Sequence, residues 1–408
     1  MPGIFGSHRA TIVSAALALL VAGPALAQKK YDTGVTDTEI RIGQTAPLSG
    51  SISAYAVIAR TQVAYINKIN DEGGINGRKV KYVLYDDAAN PAKTVEQVRK
   101  LVEGDEVFVV FNPQGTPQNM SIRKYLNDKK VPQMFIGSGG SKFGDPKNFP
   151  WTMGWTPPYL TEGAIYARYI LQNKPDARIA VLYENNDYGK EMLEGFERGL
   201  GSKAASLIVA KEPYDREAPV IDSQIIKLKT SNADVLVDFS TPKFTVQAIK
   251  KTKELGWKPL HILSSVSNSI GSVLSVAGLD DSVGIISSGY YKDPADSTFA
   301  EDPAMVELNK FVDKYMPGTP KTDLMVNGYN IIQIFVEVLK RCGDDLTREN
   351  VMKQASVLKD VELPLFLPGI KVNTSATDYY PIESLQMLRF DGKRWAPFGG
   401  VIDGHMEN

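Results

Sequence analysis

Residues 40–46, Ile40-Arg41-Ile42-Gly43-Gln44-Thr45-Ala46, read as a β-strand, and the helix and second strand after them decide the fold. Ala59, Val63, Ile66 and Ile69 recur at the spacing of one helix face. Gly73-Gly74-Ile75-Asn76-Gly77 stops that helix, and residues 79–85 form the next strand. Two strands joined through a helix run parallel, so this unit predicts an open sheet with helices packed on its faces.

The same cycle continues outward. Val95, Val98 and Val102 mark a helix, 107–111 a strand, about 118–128 a helix and 133–136 a strand, which gives four strands of one sheet. A second series places strands at 179–183, 207–210, 235–239, 261–264 and 285–288, with helices between nearly all of them. Beyond residue 300 the pattern turns helical at 306–315, 324–341 and 348–357. It ends in β-prone pieces at 385–390 and 395–398, a tail that completes both halves. The class is α/β, with two lobes, each an open and mostly parallel sheet flanked by helices. No repeat of about 20 to 50 residues points to a solenoid.

The stretch 149–159 separates the two series. Pro150, Gly154, Pro157 and Pro158 cannot continue a helix and favour extended backbone, so this is a crossing between lobes. Two such sheets leave a cleft between the carboxyl ends of their strands, where ligands of open α/β sheets bind. Site residues are therefore expected in loops just after strands.

At the amino terminus, Arg9 precedes an apolar run at 10–23 that ends in Ala25-Leu26-Ala27, the pattern of a secretory signal cleaved after Ala27. About 14 apolar residues at ~1.5 Å each cannot cross a hydrocarbon core of about 30 Å. No later apolar run reaches the roughly 18 residues of a membrane span, so no stable membrane insertion is expected. Gln28 stands where a lipoprotein needs cysteine, and the single cysteine, Cys342, excludes an intrachain disulfide and a thiolate zinc site. Lys and Arg total 46 against 47 for Asp and Glu, with no basic run, which argues against nucleic acid as a partner.

Catalytic chemistry finds no constellation. His8 is lost with the signal, His405 lies near the carboxyl terminus, and His261 sits inside an apolar strand as an ordinary sheet residue. Gly137-Ser138-Gly139-Gly140-Ser141-Lys142 follows a strand but fails as a dinucleotide fingerprint, because the third glycine falls on Lys142. It fails as a phosphate loop because Ser141 and Phe143 flank Lys142. Neither G-x-S-x-G nor H-E-x-x-H occurs. No enzyme activity, cofactor or metal is expected. The loop is either a plain turn or an anion cradle, whose small residues let N–H groups and hydroxyls approach a carboxylate.

Four segments together resemble the periplasmic leucine/isoleucine/valine-binding protein family. They are Ile42-Gly43-Gln44-Thr45-Ala46-Pro47-Leu48-Ser49-Gly50, Ile69-Asn70-Asp71-Glu72-Gly73-Gly74-Ile75-Asn76-Gly77, Tyr85-Asp86-Asp87-Ala88-Ala89-Asn90-Pro91, and 183–189 with its Asp187-Tyr188-Gly189. Order and spacing match, and the similarity weakens only after about residue 340. The resemblance implies a two-lobed periplasmic-binding-protein fold of type I with three interlobe crossings. Lobe I would comprise 28–157 and 291–382, and lobe II 158–290 and 383–408, after a signal peptide at 1–27. It further implies the periplasmic solute-binding component of an ABC importer, a monomer that closes on a small molecule by a hinge and docks on an inner-membrane permease. A ligand-sensing module of the same fold, presenting its closed form to a receptor or chemosensor, is the alternative.

In that family the ligand's carboxylate is held by two lobe I loops, which fall here on Gln114, Gly115 and Thr116 and on Ser138, Gly139, Gly140 and Ser141. A tyrosine that closes over the ligand falls on Tyr188, a residue type that also serves as a simple loop anchor. The chain departs from the family where it matters for specificity. The acidic partner of an amino acid's ammonium falls on Ser265, a neighbouring tyrosine falls on Thr241, and the family's two cysteines fall on Ala88 and Pro113. An unpaired ammonium in a dry cleft is costly unless Asp187, Asp238 or Asp293 turns inward. Tyr55, Trp155, Phe239, Tyr290 and Tyr291, beside Ser265 and Asn268, suit a flat or branched apolar body. The expected ligand is an aromatic or branched acid, with a branched-chain amino acid as rival.

Overall fold

The computed structural model describes residues 29–404 together with Gly3, so the rest of the expected signal at 1–27, and His405, lie outside the described residues. In chain order the strands are β1 (Lys30–Tyr31), β2 (Glu39–Ala46), β3 (Lys79–Asp86), β4 (Val109–Phe111), β5 (Gln133–Ile136) and β6 (Thr152–Gly154). They continue as β7 (Ile179–Glu184), β8 (Ile208–Tyr214), β9 (Val235–Phe239), β10 (Leu260–Leu263), β11 (Ile286–Gly289), β12 (Asp345–Leu346), β13 (Ser384–Phe390) and β14 (Trp395–Asp403). One sheet has the order β3-β2-β4-β5-β6 and a second the order β14-β13-β11-β10-β9-β7-β8. The pairs β11–β13 and β13–β14 are antiparallel and the other pairs of these sheets are parallel. Strands covered on both faces require unbroken apolar runs, hence the wholly buried Ile179-Ala180-Val181-Leu182 in β7 and Val235-Leu236-Val237 in β9.

Three strands differ from their sequence reading by more than two residues, among them β14, which runs to Asp403 past the expected end at 398. β6 arises inside the stretch read as a bare crossing, so the first sheet has five strands where four were expected. It is an edge strand bonded only to β5, so the prolines around it remove no ladder bond. β8 runs on to Tyr214 instead of stopping at 210, because an edge position tolerates Lys211, Glu212 and Pro213. The short parallel pair β1–β12 joins distant parts of the chain and has no local signal.

The tail returns to both sheets. Helices Pro303–Tyr315 and Asp323–Cys342 pack beside the first sheet, where Tyr65 meets Phe311 at 6.0 Å and Tyr329 at 5.1 Å between ring centroids. β13 and β14 extend the second sheet. On that sheet, helix Tyr159–Asn173 crosses helix Asp187–Leu200 closely enough that a Cβ on Gly195 would lie 2.3 Å from the Leu160 carbonyl oxygen. The crossing brings the first turns together, with the Tyr159 and Tyr188 rings 4.9 Å apart.

Candidate functional site

An open α/β sheet forms a crevice where its strand order reverses, at the carboxyl ends of the strands. In the first sheet that point lies between β2 and β4, and in the second between β7 and β9. A cavity of about 80 Å³ joins the two crevices. From the first side it is lined by Tyr55, Gln114, Gly115 and Thr116, with Leu324 and Asn327 from helix Asp323–Cys342. From the second side come Tyr159, Tyr188, Arg216, Thr241, Ser265 and Val266, with Tyr290 and Tyr291 after β11.

The loop after β4 is built around Gly115. Its φ of +91° is the left-handed region, and a Cβ there would lie 2.2 Å from Gln118 Oε1. Gln114 Nε2 is tied to Asn112 Oδ1 at 2.7 Å, and Thr116, opening helix Thr116–Asp128, shares a 2.7 Å bond with Ser138 Oγ. Burial pushes the phenols of Tyr55 and Tyr188 well above their usual range, so both remain neutral donors at physiological pH. Tyr55 OH donates to the Val266 carbonyl at 2.7 Å, a bond across the cleft.

At the second switch point Glu184, 1% exposed, ends β7 and organises its neighbours. It accepts from Arg216 Nε at 2.6 Å, Thr241 Oγ1 at 2.9 Å and Tyr214 OH at 3.1 Å, and also from Asn186 Nδ2. Asn186 in turn caps helix Asp187–Leu200, accepting from the Tyr188 and Gly189 N–H groups. Arg216 is the one charged side chain among the described residues lining the cavity. Its Nε is held by Glu184, while Nη1 and Nη2 have no acceptor among the described residues. The sequence reading missed Arg216 because it ended the strand at 210. With β8 ending at Tyr214, Arg216 falls in the loop just after a strand, where site residues were expected.

Eight expected site residues meet at this cavity: Tyr55, Gln114, Gly115, Thr116, Tyr188, Thr241, Ser265 and Tyr290. Ser138, Gly139, Gly140, Ser141, Trp155 and Phe239 do not line it, which corrects their expected placement. The donors and acceptors of the second loop serve the protein itself. Ser138 supports Thr116, the Gly139 carbonyl accepts the Tyr159 N–H at 2.8 Å, and the Ser141 N–H donates to Glu191 at 2.5 Å. Gly140 and Ser141 line a different cavity of about 230 Å³, with Asp187. Trp155 is fully buried against Phe135 and Phe366, and Phe239 against Tyr166 and Phe196, so both belong to the core.

The acidic group absent at Ser265 stands behind it. Glu162, fully buried on helix Tyr159–Asn173, accepts from Ser265 N at 2.6 Å, Ser265 Oγ at 2.8 Å and Tyr166 OH at 2.7 Å. Burial raises its pKa and the Ser265 bonds oppose that rise. It does not line the cavity. No sequence pattern marks Glu162, since only the packing of its helix brings it under the loop after β10. Asp238 is buried, accepts from Ser240 Oγ and lies 3.4 Å from His261 Nε2, so His261 is a sheet residue with a structural partner. Asp293 lines a neighbouring cavity.

Two α/β lobes meeting over a small cavity at the switch points of both sheets define a two-lobed binding protein. The chain belongs to the periplasmic binding protein family: the family model of that description matches residues 39–394. It is of the Leu/Ile/Val-binding type, a substrate-binding class that is not enzymatic. A relative, Leu/Ile/Val-binding protein homolog 7 of Brucella suis biovar 1 (strain 1330), is 23% identical over 368 residues, covering 86% of each chain. A branched chain amino acid ABC transporter protein from Thermus thermophilus, solved with bound valine, superposes with TM-score 0.80 at 18% identity, covering 90% of this chain and 97% of that one. The solute binding protein of an ABC transporter from Rhodopseudomonas palustris BisB5, in complex with 3,4-dihydroxy benzoic acid, gives TM-score 0.74 at 18% identity, covering 90% and 98%. No helix among the described residues is long and apolar enough to cross a membrane.

Proposed function

We propose that the chain is the solute-binding component of an ABC importer of the branched-chain amino-acid type, and that its cleft selects a small aromatic or branched carboxylate. In this reading residues 1–27 direct export, and the mature monomer works in the periplasm. Lobe I comprises 28–157 and 291–382, lobe II the rest, and the closed form hands its ligand to an inner-membrane permease. Solved relatives of the same fold hold valine in one case and 3,4-dihydroxybenzoic acid in another, so the fold does not choose between them and the cleft residues must.

The observation that carries the choice is Arg216. Its guanidinium lines the cavity with Nε pinned by Glu184, an arrangement that offers the remaining fork to a carboxylate. Thr116, at a helix start, supplies a hydroxyl and an N–H on the opposite wall. Tyr55, Tyr159, Tyr188 and Tyr290 enclose the ligand's body, and their flat faces suit a ring or a branched chain. An α-ammonium in the same space would face Arg216, while Glu162 is already engaged by Ser265 and Tyr166.

Calorimetry on the mature protein with benzoate, 4-hydroxybenzoate, 4-methyl-2-oxopentanoate, leucine and valine tests this. At a hundred times its dissociation constant a true ligand adds about 2.7 kcal/mol of stability, which a melting curve registers directly. The acids are expected to bind and the amino acids to bind weakly. Tight binding of leucine or valine with no response to any acid would sink the carboxylate reading.

A further inference from the structure

Beside the cleft lies a larger cavity of about 450 Å³, which shares Ser265, Tyr290 and Tyr291 with it. The volume falls in the range of about 300–1,000 Å³ that organic ligands occupy. Its charged groups are unevenly satisfied. Arg394 lies 3.6 Å from both Asp296 and Asp391, so its charge is met. Asp323 is 4% exposed and accepts from Ser269 Oγ, and Asp293 accepts from the Ala295 N–H at 2.8 Å. Neither carboxylate has a cationic side chain as partner among the described residues.

A carboxylate that is buried, like Asp323, or half-buried, like Asp293, and lacks a cation is driven to hold a proton or to meet a positive charge from outside. Burial raises Asp293 to about 7, helped by the charge of Asp323, and raises Asp323 to about 6. The wall also carries Tyr290, Tyr291, Phe299 and Trp395, whose π faces attract organic cations. A hard divalent metal would instead need about six oxygen ligands, and aromatic walls supply none.

We infer that this cavity is a second binding compartment that takes an organic ammonium, its charge against Asp293 and Asp323 and its apolar body against the four rings. The inference stands on the cavity's own carboxylates, and of the residues it uses only Tyr290 also serves the carboxylate reading of the cleft.

Titration of the full mature protein with benzylammonium and, separately, with benzoate tests it. Benzylammonium is expected to bind saturably, with affinity falling about tenfold or more in D323N and in D293N, while D293N retains the wild-type response to benzoate. Asp293 is only half-buried, so D293N keeps the test decisive where D323N fails to fold. No heat and no melting shift with millimolar benzylammonium would overturn the compartment, as would binding undiminished in D293N. Benzoate binding without benzylammonium binding fails this inference alone, and the reverse fails the carboxylate reading alone. A ligand with both groups, 4-(aminomethyl)benzoate, shows by its stoichiometry and gain in affinity whether one molecule fills both spaces or two bind separately.

Discussion

Replacing Arg216 separates two jobs that the residue performs. With its partner Glu184 1% exposed, R216M leaves a buried carboxylate unpaired and is expected to cost about 3 kcal/mol of stability. Carboxylate affinity should fall about tenfold or more, the worth of a charge-assisted hydrogen bond. The double variant R216M/E184Q should recover most of the stability and none of the affinity, which melting curves and calorimetry distinguish. Asp293 gives a pH-dependent counterpart. Its pKa is raised from 3.8 to about 7, so the folded state binds more protons than the unfolded one between those values, and the protein loses stability as pH rises through them. D293N cannot ionise. It should melt like the wild type only below about pH 3.8 and higher at pH 8, by about 1 kcal/mol once solvent screening of a half-buried group is allowed for.

Among the elements, helix Asp187–Leu200 shows how a cap places a side chain at the cavity. Asn186 accepts from Tyr188 N at 3.0 Å and Gly189 N at 3.3 Å while donating to Glu184. N186A should therefore cost about 1 kcal/mol of stability and weaken ligand binding several-fold, because the same contacts hold Tyr188 at the cavity. Thermal melts and calorimetry on one preparation check both. Strand–helix alternation was legible from hydrophobic periodicity alone, and β5 and β9 fall on their expected bounds. Edge strands were harder, because one-sided pairing releases them from the apolar pattern that marks a buried strand. Misjudging the end of β8 hid Arg216, so an error in one element's length became an error about the site.

Across the whole molecule, several polar contacts join the two sides of the cleft. Tyr55 OH to the Val266 carbonyl is one, and Ser141 N–H to Glu191 is another. Y55F removes the first without disturbing the core. It is expected to speed ligand release about threefold to tenfold, in line with about 1 kcal/mol for one hydrogen bond, and to leave the unliganded melting temperature nearly unchanged. Stopped-flow dissociation and small-angle scattering check the two halves of that statement.

The sequence by itself determined the α/β class, the two series of strands and the rule that functional loops follow strands, because periodicity and Gly/Pro punctuation are local properties. The family resemblance also pointed to the Gln114 to Thr116 loop, Tyr188 and Ser265, which line the cavity together with Tyr55. Tertiary structure alone decided which side chains face the cavity. Ser138 to Ser141 were turned to the service of Thr116, Tyr159 and Glu191, Glu162 was seated behind Ser265, and Arg216 was aimed into the cleft by Glu184. Each of these outcomes depends on a partner from another element, set by how helices pack on the sheets, and such pairings leave no mark in the local pattern of the chain.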